Sequence, residues 1–405
     1  MQRLKHRLLA WALLIAGLFV ATEMLSVSAV QEDGGVTAEP VIHAVAANPE
    51  QILRTSPDGA GRLVRVDTKS RALHPDPAPL WPAVGDGVIP VSITLSQDIQ
   101  AMIDQVDGET LYRYVGDLSG EWPVTIEGIS YTITTRHTDS GEPIQKATQY
   151  VYEHLENLGL EVSYHDWSGS GHSSRNVIGE VAGAVHPDEI YVLSAHLDNM
   201  PTGTIAPGAD DNASGVAAVL VAADILSQYE WNCTLRFALW TGEEQGLWGS
   251  HYYAQQASNS GENIVGVLHL DMIGWDGIEG PDIDLHANQS LTPTLDLAQL
   301  FSDVVGIYEL NLVPQIVPNG ITRSDHGSFW DYGYPAILGI EDYDPSGHDF
   351  NPYYHTAQDL LENLNMDYFT DFVKASVGTF AHMGCLLPDL GLRPHYYLPL
   401  ILRKG

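Results

Sequence analysis

The chain has 405 residues, enough for one large α/β domain with appendages or about two or three average ones, and its 44% hydrophobic content supplies ample core. Charge is lopsided: 18 Lys and Arg against 52 Asp and Glu give a formal net charge of −34. So acidic a chain argues against nucleic acid, whose phosphates need cations, and against anionic membranes. It suits neutral or cationic partners and colloidal solubility.

In chain order, residues 1–7 are basic, Leu8 to Ala21 form an apolar run, and Val27-Ser28-Ala29 has the small-residue spacing of a signal peptidase site. This predicts a secretory signal over 1–29, cleaved on export. An uncleaved anchor is the alternative, but the run is short for a span. The mature chain is therefore expected to be secreted, with cell-surface association left open, and to have no membrane span. Residues 30–95 are rich in Pro, Ala, Gly and Asp, with breakers such as His74-Pro75-Asp76-Pro77. They read as a leader or propeptide, less readily as a compact mini-domain.

Regular patterning begins at Ser96. Pro143 to Leu158 has helical spacing and is followed by Gly159 as a stop. Leu160 to His165, Asn176 to Val181 and Glu189 to Ala195 read as strands, the last apolar enough to be central. Ala213 to Leu226 is a buried helix, with Asp211 or Asn212 placed to cap it. Cys233 to Trp240, Ile264 to Leu270 and Pro335 to Ile340 are further strands, and Met366 to Met383 a final helix. Strands alternating with helices predict an α/β fold with a mixed, largely parallel central sheet flanked by helices on both faces. The main folded domain is expected over 96–390. The apolar tail 391–405 reads as an edge strand or a sorting signal.

Two cysteines occur, Cys233 and Cys385. Export permits a disulfide between them that would close a long loop, and the sequence leaves the pairing open. Asn232-Cys233-Thr234 and Asn288-Gln289-Ser290 match the glycosylation pattern, which matters only in a eukaryotic secretory pathway.

Five residues with metal-ligand chemistry stand where buried strands run out or in the loops beyond them: His196, Asp210, Glu244, Asp271 and His355. Singly each has a structural reading, for His-x-Asp is weak and paired aspartates before a helix commonly cap it. Jointly, two imidazoles and three carboxylates suit two divalent cations sharing one carboxylate, at the strand ends where open α/β sheets place ligands. Glu243 and Glu244 repel unless a cation or shared proton compensates.

The segments SAHLDN (194–199), APGADDNASG (206–215), TGEEQGLWGS (241–250), HLDMIG (269–274), RSDHGSFW (323–330) and NPYYHTAQD (351–359) together resemble the M28 zinc-peptidase family. The resemblance covers roughly 96–390 and is nearest to that family's secreted bacterial aminopeptidases. It implies the zinc-exopeptidase fold, two zinc ions per chain, and peptide or protein substrates with a free N-terminus. Carried over by position, it implies that Asp210 bridges the metals, that His196 and Asp271 complete one site, and that Glu244 and His355 complete the other. Asp198 would orient His196, Glu243 would be the general base, Tyr354 would stabilise the oxyanion, and Arg323 would line the substrate pocket. The Asp210-Asp211 peptide would be cis. Two departures stand out: NGITRSDH lacks the pocket tyrosine and cysteines of other members, and their Asp-Thr after the last ligand is Asp359-Leu360 here. A carboxypeptidase or dipeptidase of the same family, a one-zinc glutaminyl cyclase of related fold, and a non-catalytic receptor are the rival readings.

Overall fold

The structure is a computed structural model that describes residues 51–55, 61–65, 88–277, 280–343 and 350–386. The expected signal segment and the tail from 391 lie outside the described residues. The chain divides into two units, Met1–Thr68 and Lys69–Gly405. In the first, β1 (Gln51–Thr55) pairs antiparallel with β2 (Gly61–Arg65), where the sequence shows no sustained period.

The second unit is built on an eight-stranded mixed sheet in the order β11-β10-β12-β9-β7-β8-β6-β5. Its strands are β5 (Glu161–Gly169), β6 (His172–Val181), β7 (His186–His196), β8 (Cys233–Trp240), β9 (Asn263–Leu270), β10 (Asp282–His286), β11 (Val313–Val317) and β12 (Ala336–Glu341). Four of the seven pairings are parallel, including the central β9-β7-β8 trio. A small hairpin, β3 (Val124–Ile126) and β4 (Ile129–Tyr131), lies apart from the sheet.

The central strands read as apolar runs because both of their faces are covered. Along β8, Leu235, Phe237 and Leu239 enter the larger core, while Ala238 and Trp240 enter the opposite one. The larger core is closed by α1 (Gln97–Ile103), α2 (Gly108–Ser119), α3 (Glu142–Asn157), α4 (Gly215–Leu226), α6 (Thr292–Ile307) and α8 (Met366–Met383). The smaller is closed by α5 (Trp248–Ser260) and α7 (His326–Asp331).

Helix α4 is buried on every side except at Asp224, which accepts from the Tyr114 hydroxyl at 2.6 Å and meets His154 Nε2 at 2.8 Å. That explains a hydrophobic sequence with no polar stripe. Among the described residues no helix is long and apolar enough to cross a membrane.

The parallel trio positions the site. His196 ends β7, Asp271 follows β9, and Glu243-Glu244 lie in the turn after β8. Three neighbouring strands thus deliver their following residues to one edge of the sheet.

Candidate active site

His196 is buried, and its Nδ1 donates to the backbone carbonyl of Asp198 at 3.0 Å. A carbonyl only accepts, so the ring proton sits on Nδ1 and Nε2 is left as a ligand atom. That Nε2 lies 3.1 Å from Asp271 Oδ1 and 3.2 Å from Asp211 Oδ1. The other oxygen of Asp271 accepts from Ser324 Oγ at 2.6 Å. Across the site, His355 Nε2 lies 3.1 Å from Asp211 Oδ2 and 3.0 Å from Glu244 Oε2. The Tyr354 ring stacks on the His355 ring, centroids 3.6 Å apart.

The aspartate between the two histidines is Asp211, which corrects the expectation for Asp210. Asp210 faces away: its Oδ1 accepts from Gly274 N at 2.8 Å and its Oδ2 from Asn351 Nδ2 at 2.7 Å. Burial pushes the Asp210 carboxyl up to about 6 and the adjoining Glu341 carboxyl well above its ordinary value. The cis peptide likewise falls one residue later, at Asp211-Asn212.

The turn is held at its start by Gly208, left-handed at φ 52°, where a Cβ would sit 2.5 Å from Asp211 O. From behind, Asp359 takes both amides, Asp210 N on Oδ1 and Asp211 N on Oδ2. Consecutive side chains in such a turn point opposite ways, and two identical letters do not say which points inward.

The donor set fits zinc. His196, Asp211 and Glu244 bring ligand atoms within 4.8 Å of one another. Separations of 3.0–3.2 Å between neighbouring donors are close to the roughly 3.3 Å edge of a tetrahedron with zinc–ligand bonds of about 2.0 Å. Asp211 Oδ2 and His355 Nε2 are buried side by side yet make no hydrogen bond of proper geometry, as expected of two ligands facing a common point.

The electrostatics agree. Burial lowers the His196 imidazole, but Asp271, Glu243 and Asp211 outweigh it and hold the group well above its ordinary value. Burial also opposes charge on His355, yet Glu244 and Asp211 lift it to about 10. Four carboxylates (Asp211, Glu243, Glu244, Asp271) against two imidazoles leave the pocket anionic even with both rings protonated, a standing demand for cations.

Asp198 acts differently from expectation. Its carboxylate is 3.9 Å from His196 Nδ1, which its main-chain oxygen holds instead. The carboxylate accepts from Glu243 N and Glu244 N, both at 3.2 Å, and from Thr138 Oγ1 at 2.9 Å. It therefore fixes the turn that presents the two glutamates. Glu243 is fully buried beside His196. Arg323 is half-buried in the loop before α7, next to Ser324.

Three supporting groups escaped the sequence reading. Asp359 was noted only as a departure from a pattern. Ser324 passes Asp271 on to His269 Nε2 at 2.8 Å, and His269 Nδ1 meets Ser194 Oγ at 3.1 Å. Arg136 is completely buried and donates to four main-chain carbonyls: Leu118 (2.6 Å), Leu197, Pro207 and Gly208 (each 2.8 Å). Its signal was faint, a lone cation seven residues ahead of the helical pattern that starts at Pro143.

The sequence model of peptidase family M28 matches residues 176–378, just over half the chain, and the protein belongs to that family. It is a peptidase. A probable zinc metalloprotease of Pyrenophora tritici-repentis is 25% identical over 351 residues, covering 74% of this chain and 71% of the relative. Aminopeptidase Y of Saccharomyces cerevisiae is 28% identical over 277 residues, covering 64% of this chain and 49% of its own length. In fold, the chain is similar to the Legionella pneumophila LapA aminopeptidase, with a TM-score of 0.61 and 18% identity over 73% of this chain and 77% of that one.

Proposed function

We propose that this peptidase is an exported aminopeptidase that uses two zinc ions to remove N-terminal residues from peptides. The observation that carries the reading is Asp211, whose two oxygens are divided between His196 and His355, each of which has a second carboxylate of its own, Asp271 and Glu244. Zinc bound there supplies Lewis acidity, activating water near neutral pH and polarising the scissile carbonyl. The names of the fungal and yeast relatives, a zinc metalloprotease and an aminopeptidase, support the same metal and activity.

The chain's own groups do the rest. Glu243, buried beside His196 but outside the ligand set, takes the proton of the attacking water and returns it to the leaving amine. The Tyr354 hydroxyl donates to the carbonyl oxygen as it gains charge. The anionic pocket attracts the ammonium of a free N-terminus, which favours action from that end. Export rests on the basic, apolar and small-residue pattern of 1–29.

Metal analysis of the mature protein should give two zinc ions per chain. Aminoacyl-nitroanilides should be cleaved in a chelator-sensitive way and their N-acetylated analogues left intact. Equal cleavage of the blocked substrates would overturn the reading. Cyclisation of N-terminal glutamine without peptide cleavage would replace it with the cyclase.

A further inference from the structure

A cavity of about 520 Å³ opens beside Glu244, lined among others by His137, Asp139, His172, Thr202 and Gln245. Its lining shares no residue with the apolar cluster of Met272, Leu338 and Ile340 with Tyr354. The two differ in closure. The apolar cluster is buried, whereas Asp139 and Thr202 at the cavity are exposed. An N-terminal residue has nothing before its amine and can end in a closed cup. The peptide beyond the scissile bond must run outward, and the cavity beside Glu244 is the open route.

Its lining carries carboxylates and imidazoles. His137 Nδ1 accepts from Asp139 N at 3.1 Å, so the ring proton lies on Nε2, facing Thr202 Oγ1 at 3.2 Å. The Asp139 carboxylate meets His172 Nδ1 at 2.8 Å. The Gln245 amide is engaged with the His137 ring, its Nε2 3.4 Å from His137 Nε2. The residues lining the cavity include neither Lys nor Arg, while Asp139 and Glu244 both contribute carboxylates.

We propose that this cavity binds the second residue of the substrate and selects a cationic side chain over an acidic one. The inference rests on the aminopeptidase reading. Leucine amide, which has no second residue, separates the two. Relative to leucine amide, kcat/KM should be about tenfold higher for Leu-Lys than for Leu-Ala, and about tenfold lower for Leu-Asp, mainly through KM. Asp139→Asn should erase the Leu-Lys advantage and relieve the Leu-Asp penalty, with Leu-Ala as the reference. Indifference to the second residue, or a variant that shifts every ratio alike, would overturn the subsite while leaving the aminopeptidase standing. Failure to cleave both leucine amide and the dipeptides would remove the reading beneath it, and the subsite with it.

A separate observation concerns the two cysteines. Asn232 N donates to Cys385 O at 3.0 Å, and Trp231 bridges antiparallel to Leu386. The segment leaving α8 therefore lies against the start of β8 and brings Cys385 alongside Cys233, both of them free thiols in the structure. The geometry points to a Cys233–Cys385 disulfide in the exported protein. It forms by exchange with a disulfide oxidant: the two thiols lose two protons and two electrons, one S–S bond forms, and the oxidant is reduced to its thiols. Non-reducing peptide mapping should recover the two cysteines in one linked peptide, and neither should be alkylated before reduction. The Cys385→Ser protein should match the melting temperature of the reduced, not the oxidised, wild type. Two freely alkylated thiols in air-oxidised protein would overturn the assignment.

Discussion

Asp359 grips the residue before the bridging aspartate and the bridging aspartate itself, one carboxylate oxygen on each amide, at 2.9 Å to Asp210 N and 3.0 Å to Asp211 N. Burial pushes this carboxyl up to about 8, and the two amides are what favour its charged form. An asparagine there would turn an amino group toward one of the two N–H donors. Asp359→Asn should therefore loosen Asp211 and cost about 10- to 100-fold in zinc affinity, read by competition with a chelating dye. Unchanged affinity would mean the turn is held by other contacts.

The adjacent aspartates should separate cleanly. Asp211→Asn should lose both zinc ions and essentially all activity. Asp210→Asn should keep two zinc ions and lose stability, since its partners are Gly274 N, Asn351 and Glu341. Zinc stoichiometry of the two variants decides it, and the opposite pattern would restore Asp210 as the bridge.

Glu243→Gln should retain both metals, because the side chain lies outside the ligand set, and should slow turnover by about 10²–10⁴. A kcat within a few-fold of wild type would remove Glu243 from the proton path.

Two buried histidines outside the ligand set make stability depend on pH. Burial alone depresses His286 to about 4, and likewise His382. His286 Nδ1 faces Ile321 N, and His382 Nε2 meets the Tyr308 hydroxyl at 3.0 Å. A folded-state value below the unfolded one means the neutral ring favours folding. Their contribution is thus complete above about pH 6.5 and is lost as pH falls toward 4. Thermal melts across that window should show a falling Tm, with a shallower fall in His286→Asn.

Much of this architecture was legible because it rests on periodicity. β8 and α8 fall where alternation and helical spacing placed them, and β7 and β9 gain one to three residues at their ends. β10 and β11 were missed because they are five residues long and only partly buried, with no apolar run to mark them. In the site, strand ends pointed to His196, Glu244 and Asp271, whose positions follow from where buried segments stop. Asp211 was mistaken for Asp210 because orientation within a turn is decided by remote partners such as Asp359. Such partners leave no local pattern. The same holds for Asp198, whose carboxylate serves the turn after β8, 45 residues away in sequence.

Arg136 stands 40 residues before the segment that matches the family model, yet it ties Leu118 in α2 to Leu197 after β7 and to Pro207-Gly208 ahead of Asp211. Cutting the chain to 176–378 would preserve every ligand and remove the cross-brace that sets two ligand-bearing loops at a fixed spacing. Arg136→Met, which strands four buried carbonyls, should cost about 3–5 kcal/mol in urea unfolding. Residues 176–378 on their own are therefore expected to lose activity, the brace they need lying upstream of the segment shared with the family.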